Sequence, residues 1–163
     1  MPSQEELSIL MEHYQNGRFD EAERSARSLA LQYPHDNFSW KILGAVLKQT
    51  DRKHDAVLTG QKAVEINPQD VTAHNNLGNT LKELGRLEEA EASYSQAIAL
   101  KPDFSEAHNN LGNTLKELGR LEEAEASYRQ AITLTTGFVD AHRNLARVLK
   151  ELGRLEEAIE SER

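Results

Sequence analysis

The stretch AHNNLGNTLKELGRLEEAEASY runs from Ala73 to Tyr94 and returns letter for letter from Ala107 to Tyr128. Most of it returns once more from Ala141, as AHRNLARVLKELGRLEEA. Each copy begins 34 residues after the last, and residues 71–104 and 105–138 differ at seven positions. A fixed period of this size restricts the chain more than its length or composition does. One copy is too small to bury its own apolar face, so the copies must stack and share a core. On this register the chain divides into repeats 3–36, 37–70, 71–104, 105–138 and 139–163, expected to form one solenoid domain over residues 1–163.

Within a repeat the apolar spacing is helical. Leu77, Leu81 and Leu84 recur at i, i+4 and i+7 and share one helix face. Gly85 supplies the left-handed residue that ends this helix. Leu87, Ala90, Tyr94, Ala97 and Ile98 form the stripe of a second helix, closed by Pro102, which cannot continue it. Gly78 and Ala90 are small where the two helices must approach. Glu88, Glu89 and Glu91 suit the positive end of the second helix's dipole.

The other copies depart in readable ways. In the first, Ser3 and Glu6 make a capping box, and Leu10 and Ala26 stand where later copies have glycine and tyrosine. In the second, Asp51 replaces the turn glycine, a tolerated exchange, and Gly60 is a further departure. The fourth has Thr135-Thr136-Gly137 in place of the closing proline, so its second helix is expected to run longer or to fray. The fifth stops at Arg163, inside its second helix. Leu145, Leu149, Leu152, Leu155 and Ala158 are expected to pack on one side only. Ile159 stands where Glu91 and Glu125 stand, so this edge is expected to support weak self-association.

The charge balance narrows the partners. There are 27 acidic against 19 basic residues, a net charge of −8. Duplex DNA and anionic membranes both reward clustered Lys and Arg, so nucleic acid and membrane are not the expected partners. Without cysteine there is no disulfide or thiolate chemistry. No apolar run approaches the ~20 residues of a membrane helix, and the N-terminus is not a secretory signal. The expected compartment is the cytoplasm. No phosphate loop, HExxH or nucleophile with a placed base occurs, so neither an enzyme nor a cofactor is expected.

The chain resembles the tetratricopeptide repeat family. The resemblance rests on Leu77-Gly78, Leu81, Ala90, Tyr94, Ala97 and Pro102, and on Leu111-Gly112, Leu115, Ala124, Tyr128 and Ala131. It extends to Trp40, Leu43-Gly44, Ala56, Ala63 and Pro68, and to Ala22 and Pro34. The phrasing is similar to bacterial repeats and to those preceding O-linked N-acetylglucosamine transferase domains. The resemblance implies an all-α, right-handed solenoid of helix-turn-helix units, with first helices lining a concave groove that binds protein or peptide.

The polar stripe of the first helices holds the candidate binding residues. It comprises Asn75, Asn76, Asn79 and Lys82 in the third repeat, and Asn109, Asn110, Asn113 and Lys116 in the fourth. In the fifth it comprises Arg143, Asn144 and Arg147. An Asn side chain both donates and accepts, so it can pair with a peptide bond whatever side chains the peptide carries. The family resemblance implies that Asn76, Asn110 and Asn144 match an asparagine ladder that contacts substrate backbone in glycosyltransferase relatives. Recognition of chaperone C-terminal carboxylates is not expected, because Glu106 or Asp140 occupies the place of a required lysine.

His74, His108 and His142 form a column in the register of Trp40. Packed helices keep axes ~8–10 Å apart, whereas metal–nitrogen bonds are ~2.0–2.1 Å long, so these histidines read as packing residues. Two alternatives to the binding scaffold stay open: the substrate-docking part of a longer enzyme such as a glycosyltransferase, and a self-assembling scaffold.

Overall fold

The computed structural model describes residues 1–161. Among them the chain is all-α, without strands. In order the helices are α1 (Gln4–Gln15), α2 (Phe19–Gln32), α3 (Asn37–Gln49), α4 (Lys53–Ile66) and α5 (Val71–Glu83). They continue as α6 (Leu87–Leu100), α7 (Ser105–Glu117), α8 (Leu121–Leu134), α9 (Val139–Glu151) and α10 (Leu155–Ser161). This is the helical repeat solenoid that the period predicts, with two helices to each repeat.

Every repeat turns on one left-handed residue. Gly17, Gly85, Gly119 and Gly153 have φ between 69° and 78°, and Asp51 takes the same role at φ 59°. Asp51 is a side-chain-bearing residue where the others have none, a strained choice that the turn tolerates. Ser3 and Glu6 form the expected capping box, with Ser3 N–H donating to Glu6 Oε2 at 2.7 Å and Glu6 N–H to Ser3 Oγ at 3.2 Å.

The helices gather into two compact units, Met1–Leu84 and Gly85–Arg163, divided inside the third repeat. In the first, α1 packs on α2 and α3, and α2–α3, α3–α4 and α4–α5 follow as neighbours. Leu10, Ala26, Leu29, Leu43, Val46 and Leu47 form its buried centre. In the second, α7 packs on α6, α8 and α9, and α9 on α8 and α10, around Leu115, Tyr128, Leu145, Val148 and Leu149. Each such side chain contributes about 1.5–3 kcal/mol on burial. Leu155 and Ile159 remain more than half exposed, whereas Ala158 is fully buried. This corrects the expected bare edge: α10 packs back on α9 and buries Leu145, Leu149 and Ala158, leaving Leu155 and Ile159 open, and residues 162 and 163 lie outside the described residues.

Charged side chains tie successive second helices. Arg52 binds Glu23, 29 positions earlier, at 2.8 Å and Asp55 at 2.7 Å. In the second unit Arg120 binds Glu91 and Glu123, and Arg154 binds Glu125 and Glu157. Exposed pairs of this kind each contribute about 0.2–1 kcal/mol; their recurrence sets register.

The expectation for the fourth repeat is corrected. Its second helix does not lengthen: α8 has 14 residues, as α6 has. Thr135 adopts φ −142°, ψ 91°, almost the −140°, 88° of Lys101. The stop does not depend on proline. His142 Nε2 bonds the Thr136 carbonyl at 2.9 Å, and His108 bonds the Pro102 carbonyl at 2.9 Å. In the first unit His74 bonds Pro68 O at 3.0 Å and Trp40 Nε1 donates to Pro34 O at 3.2 Å. The column therefore fastens each inter-repeat loop to the helix that follows it, six residues on.

Candidate peptide-binding face

On α5, Asn76 is exposed, and Asn79 and Lys82 are half-buried. On α7, Asn110, Asn113 and Lys116 are half-buried, and on α9 Arg143 and Arg147 are exposed with Asn144 half-buried between them. These nine candidates lie where an incoming chain can reach them. Asn75 and Asn109 do not: they are 3% and 6% exposed. This corrects their placement on the open stripe. Asn109 is covered because Asn144 of α9 reaches over it, donating from Nδ2 to Asn109 Oδ1 at 3.1 Å.

The amides of the second unit are thus held rather than free to swing. Tyr128, fully buried, donates its hydroxyl to Asn113 Oδ1 at 2.8 Å. Burial pushes the Tyr128 pKa up, and the neighbouring Glu117 and Glu151 carboxylates add to this, so the phenol stays protonated and keeps donating. Arg143 is drawn toward Asp140 at 3.2 Å. An amide has two donor and two acceptor positions, so one bond to a neighbour leaves Asn113 and Asn144 capacity for a peptide bond.

In the first unit the comparable face is laced by charge. Lys41 Nζ stands 2.8 Å from Asp70 Oδ2 and 3.2 Å from Thr72 Oγ1, and Asn37 donates to the same Asp70 oxygen at 2.8 Å. Asp70 also caps α5 through the Ala73 amide at 2.9 Å. Burial would raise the Asp70 pKa, but Lys41, the Thr72 hydroxyl and the Ala73 amide outweigh it and hold the group below the ordinary carboxylate range. Glu83 accepts from Lys48 at 2.7 Å and Lys53 at 3.4 Å. Its pKa is lowered in the same way, burial opposing and the lysines prevailing. Reading the sequence missed these cross-repeat pairs, whose partners lie 29 to 35 positions apart.

The histidine column holds no metal geometry. Each ring is committed to a backbone carbonyl, and among the described residues no group of three His, Cys, Asp or Glu side chains could hold an ion. No helix among the described residues is long and apolar enough to cross a membrane.

Stacked two-helix units joined by left-handed turns define a helical-repeat protein. The chain belongs to the tetratricopeptide repeat family. Profiles of that repeat match residues 8–71, 59–92, 105–134 and 139–160, and a further TPR repeat profile matches 78–119. No curated protein matches the sequence. Solved structures similar to it include a crystal structure of MamA, with TM-score 0.89, 22% identity, and coverage of 94% of this chain and 90% of that one. A MamA structure from Desulfovibrio magneticus RS-1 has TM-score 0.88 at 19% identity, covering 96% and 88%. TTC0263, a thermophilic TPR protein of Thermus thermophilus, has TM-score 0.73 at 23% identity, covering 97% and 87%. At such identities the likeness is one of fold.

Proposed function

We propose that the protein is a scaffold that binds an extended polypeptide along the first-helix face of its repeats. The observation that carries this reading is the set of reachable amides on α7 and α9. Asn113 and Asn144 are held in place by Tyr128 and Asn109, and Asn110 is half-buried beside them. Pre-ordered amides lose little freedom when they bind, and they recognise main chain regardless of sequence. Lys116, Arg143 and Arg147 stand on the same face, with Arg143 drawn toward Asp140 and with Glu117 and Glu151 close by. On α5 of the first unit, Asn76, Asn79 and Lys82 repeat the pattern.

The test is a titration of peptides selected against the intact protein from a random library. Asn110→Ala and Asn144→Ala should each weaken binding by about 0.5–1.5 kcal/mol per lost neutral bond. Unchanged affinity in both would remove the amide face from the mechanism.

Self-association through α10 is a second reading, favoured by the exposure of Leu155 and Ile159. Sedimentation equilibrium of the native protein and of Ile159→Glu over a wide dilution range distinguishes it. Concentration-dependent mass in the native protein alone supports the edge as an interface.

A further inference from the structure

The repeats solve one packing problem in different ways, and one of them leaves it unsolved. A first-helix position and a second-helix position 16 residues later face a shared space between the helices. In the fourth repeat the pair is Gly112 and Tyr128, and Tyr128 fills the space so fully that a Cβ on Gly112 would fall 2.6 Å from its ring. In the first repeat the pair is reversed, Leu10 and Ala26, both fully buried. In each of these pairs one small residue faces one large one. In the second repeat both positions are glycine, Gly44 and Gly60.

Neither helix puts a ring there: Thr59 Oγ1 lies 3.0 Å from where a Cβ of Gly44 would stand, Leu77 packs on Gly60, and a cavity of about 190 Å³ opens alongside them. Gly44, Ala56, Gly60, Leu77, Lys41 and Lys48 are among the residues that line it. Both lysines are paired within the protein, Lys41 with Asp70 and Lys48 with Glu83. The lining therefore does not call for an anion. What the space lacks is the group the fourth repeat puts there, an aromatic ring. An engineered protein cavity of about 150 Å³ takes up benzene, so this one has room for one ring.

We propose that the Gly44–Gly60 cavity receives an aromatic side chain of the bound polypeptide, phenylalanine in preference to tyrosine. The preference follows from register. Tyr128 places its hydroxyl on Asn113, and the position matching Asn113 in the second repeat is Ala45, which offers no amide. A phenol would enter without that register-matched partner and would have to turn to Gln49 or Asn76 on the cavity wall, whereas a phenyl ring needs none. Ring atoms against Leu77 and the glycine backbones gain contact and lose water, and the Lys41 and Lys48 ammonium groups of the lining favour a ring nearby. The proposal rests on the peptide-binding reading and gives a polypeptide bound on the first unit an anchor residue.

The experiment is an NMR titration of the whole chain with toluene, p-cresol and N-acetyl-phenylalaninamide as probes. The expected result is that toluene and the capped amide shift the backbone amides of Gly44, Gly60, Leu77 and Thr80, with p-cresol weaker. Gly60→Phe places a ring in this region from within the protein and should weaken toluene binding by at least about tenfold. A Cβ at Gly60 would stand 3.2 Å from Leu77 Cδ1, a flexible neighbour that must give slightly. Should that variant not fold, Ala45→Phe blocks the mouth from α3 and should weaken the probes alike. Probes that leave these amides unmoved, or that bind the native protein and a folded blocked variant equally, overturn the proposal. Probe binding reports on the cavity alone, and peptide affinity in Asn110→Ala reports on the amide face alone, so failure of either reading is seen separately.

Discussion

Tyr128 lies against Gly112 so closely that any side chain at residue 112 would collide with its ring. A Cβ there would stand 2.6 Å from Cε1 and 2.8 Å from Cδ1, and the ring itself is fully buried. Gly112→Ala should therefore destabilise the protein by about 1–3 kcal/mol through overpacking. Tyr128→Ala should cost about 3–5 kcal/mol through the cavity it leaves. The double change Gly112→Leu with Tyr128→Ala recreates the Leu10–Ala26 pairing of the first repeat and should recover part of the loss. Urea denaturation of the four proteins checks this; a double variant no more stable than Tyr128→Ala alone would show that the pair is not interchangeable.

The histidine column makes a sharper prediction because one copy works without proline. Pro102 restricts its own backbone, so His108→Ala removes one bond from a loop that is already stiff. Thr136 lacks that restriction, and its carbonyl is held by His142 at 2.9 Å. His142→Ala, which also removes the Nδ1 contact with the Ser161 carbonyl at 3.1 Å, should cost about 0.5–1.5 kcal/mol per lost hydrogen bond, with a larger rise in amide exchange over residues 133–137 than His108→Ala causes over 99–103. Equal rises at the two sites would mean that the loop, not the histidine, sets the stop.

These cases show what the sequence made legible. The period and the turn glycines marked where helices stop, as Gly17 follows α1 and Gly85 follows α5, and Asp51 could be read as a turn residue because it occupied a glycine's place. The fate of Asn75 and Asn109 could not be read in that way. Neighbouring residues on a helix point about 100° apart, so of two adjacent asparagines one turns toward the next repeat. Which one is covered depends on how that repeat packs, as Asn144 covers Asn109. The same applies to Gly60: it was visible as a departure, but its consequence follows only from Gly44 facing it.

Asp51 itself is open to improvement. Its φ of 59° is the strained region for a residue with a side chain, costing roughly 1–2 kcal/mol. Glycine removes that strain but adds chain entropy of roughly 0.5–1 kcal/mol to be lost on folding. Asp51→Gly should therefore stabilise the protein by about 0.5–1 kcal/mol, seen as a rise in denaturation midpoint with unchanged slope. No rise would mean that the Asp51 side chain is compensated, its contact to Lys53 at 3.7 Å being the available candidate.

Asp70 makes the fold sensitive to acid in a direction that can be worked out. Its side chain is 12% exposed and joins Lys41, Asn37, Thr72 and the Ala73 amide. These partners hold its folded pKa below the ordinary value of 3.8. Between those two values the unfolded chain binds the proton and the folded one does not, so stability rises with pH across that interval. The contribution of Asp70 is fully present above about pH 4 and is lost as the pH falls from there toward the folded pKa. Asp70→Asn should cost roughly 1–3 kcal/mol at about pH 7, since Lys41 then loses its charged partner. The variant should also lose less stability than the native protein when the buffer is taken down to about pH 3. Urea unfolding of both proteins across this range is the measurement. Parallel loss in the two would place the acid sensitivity on other carboxylates, Glu83 with Lys48 and Lys53 being the next in line.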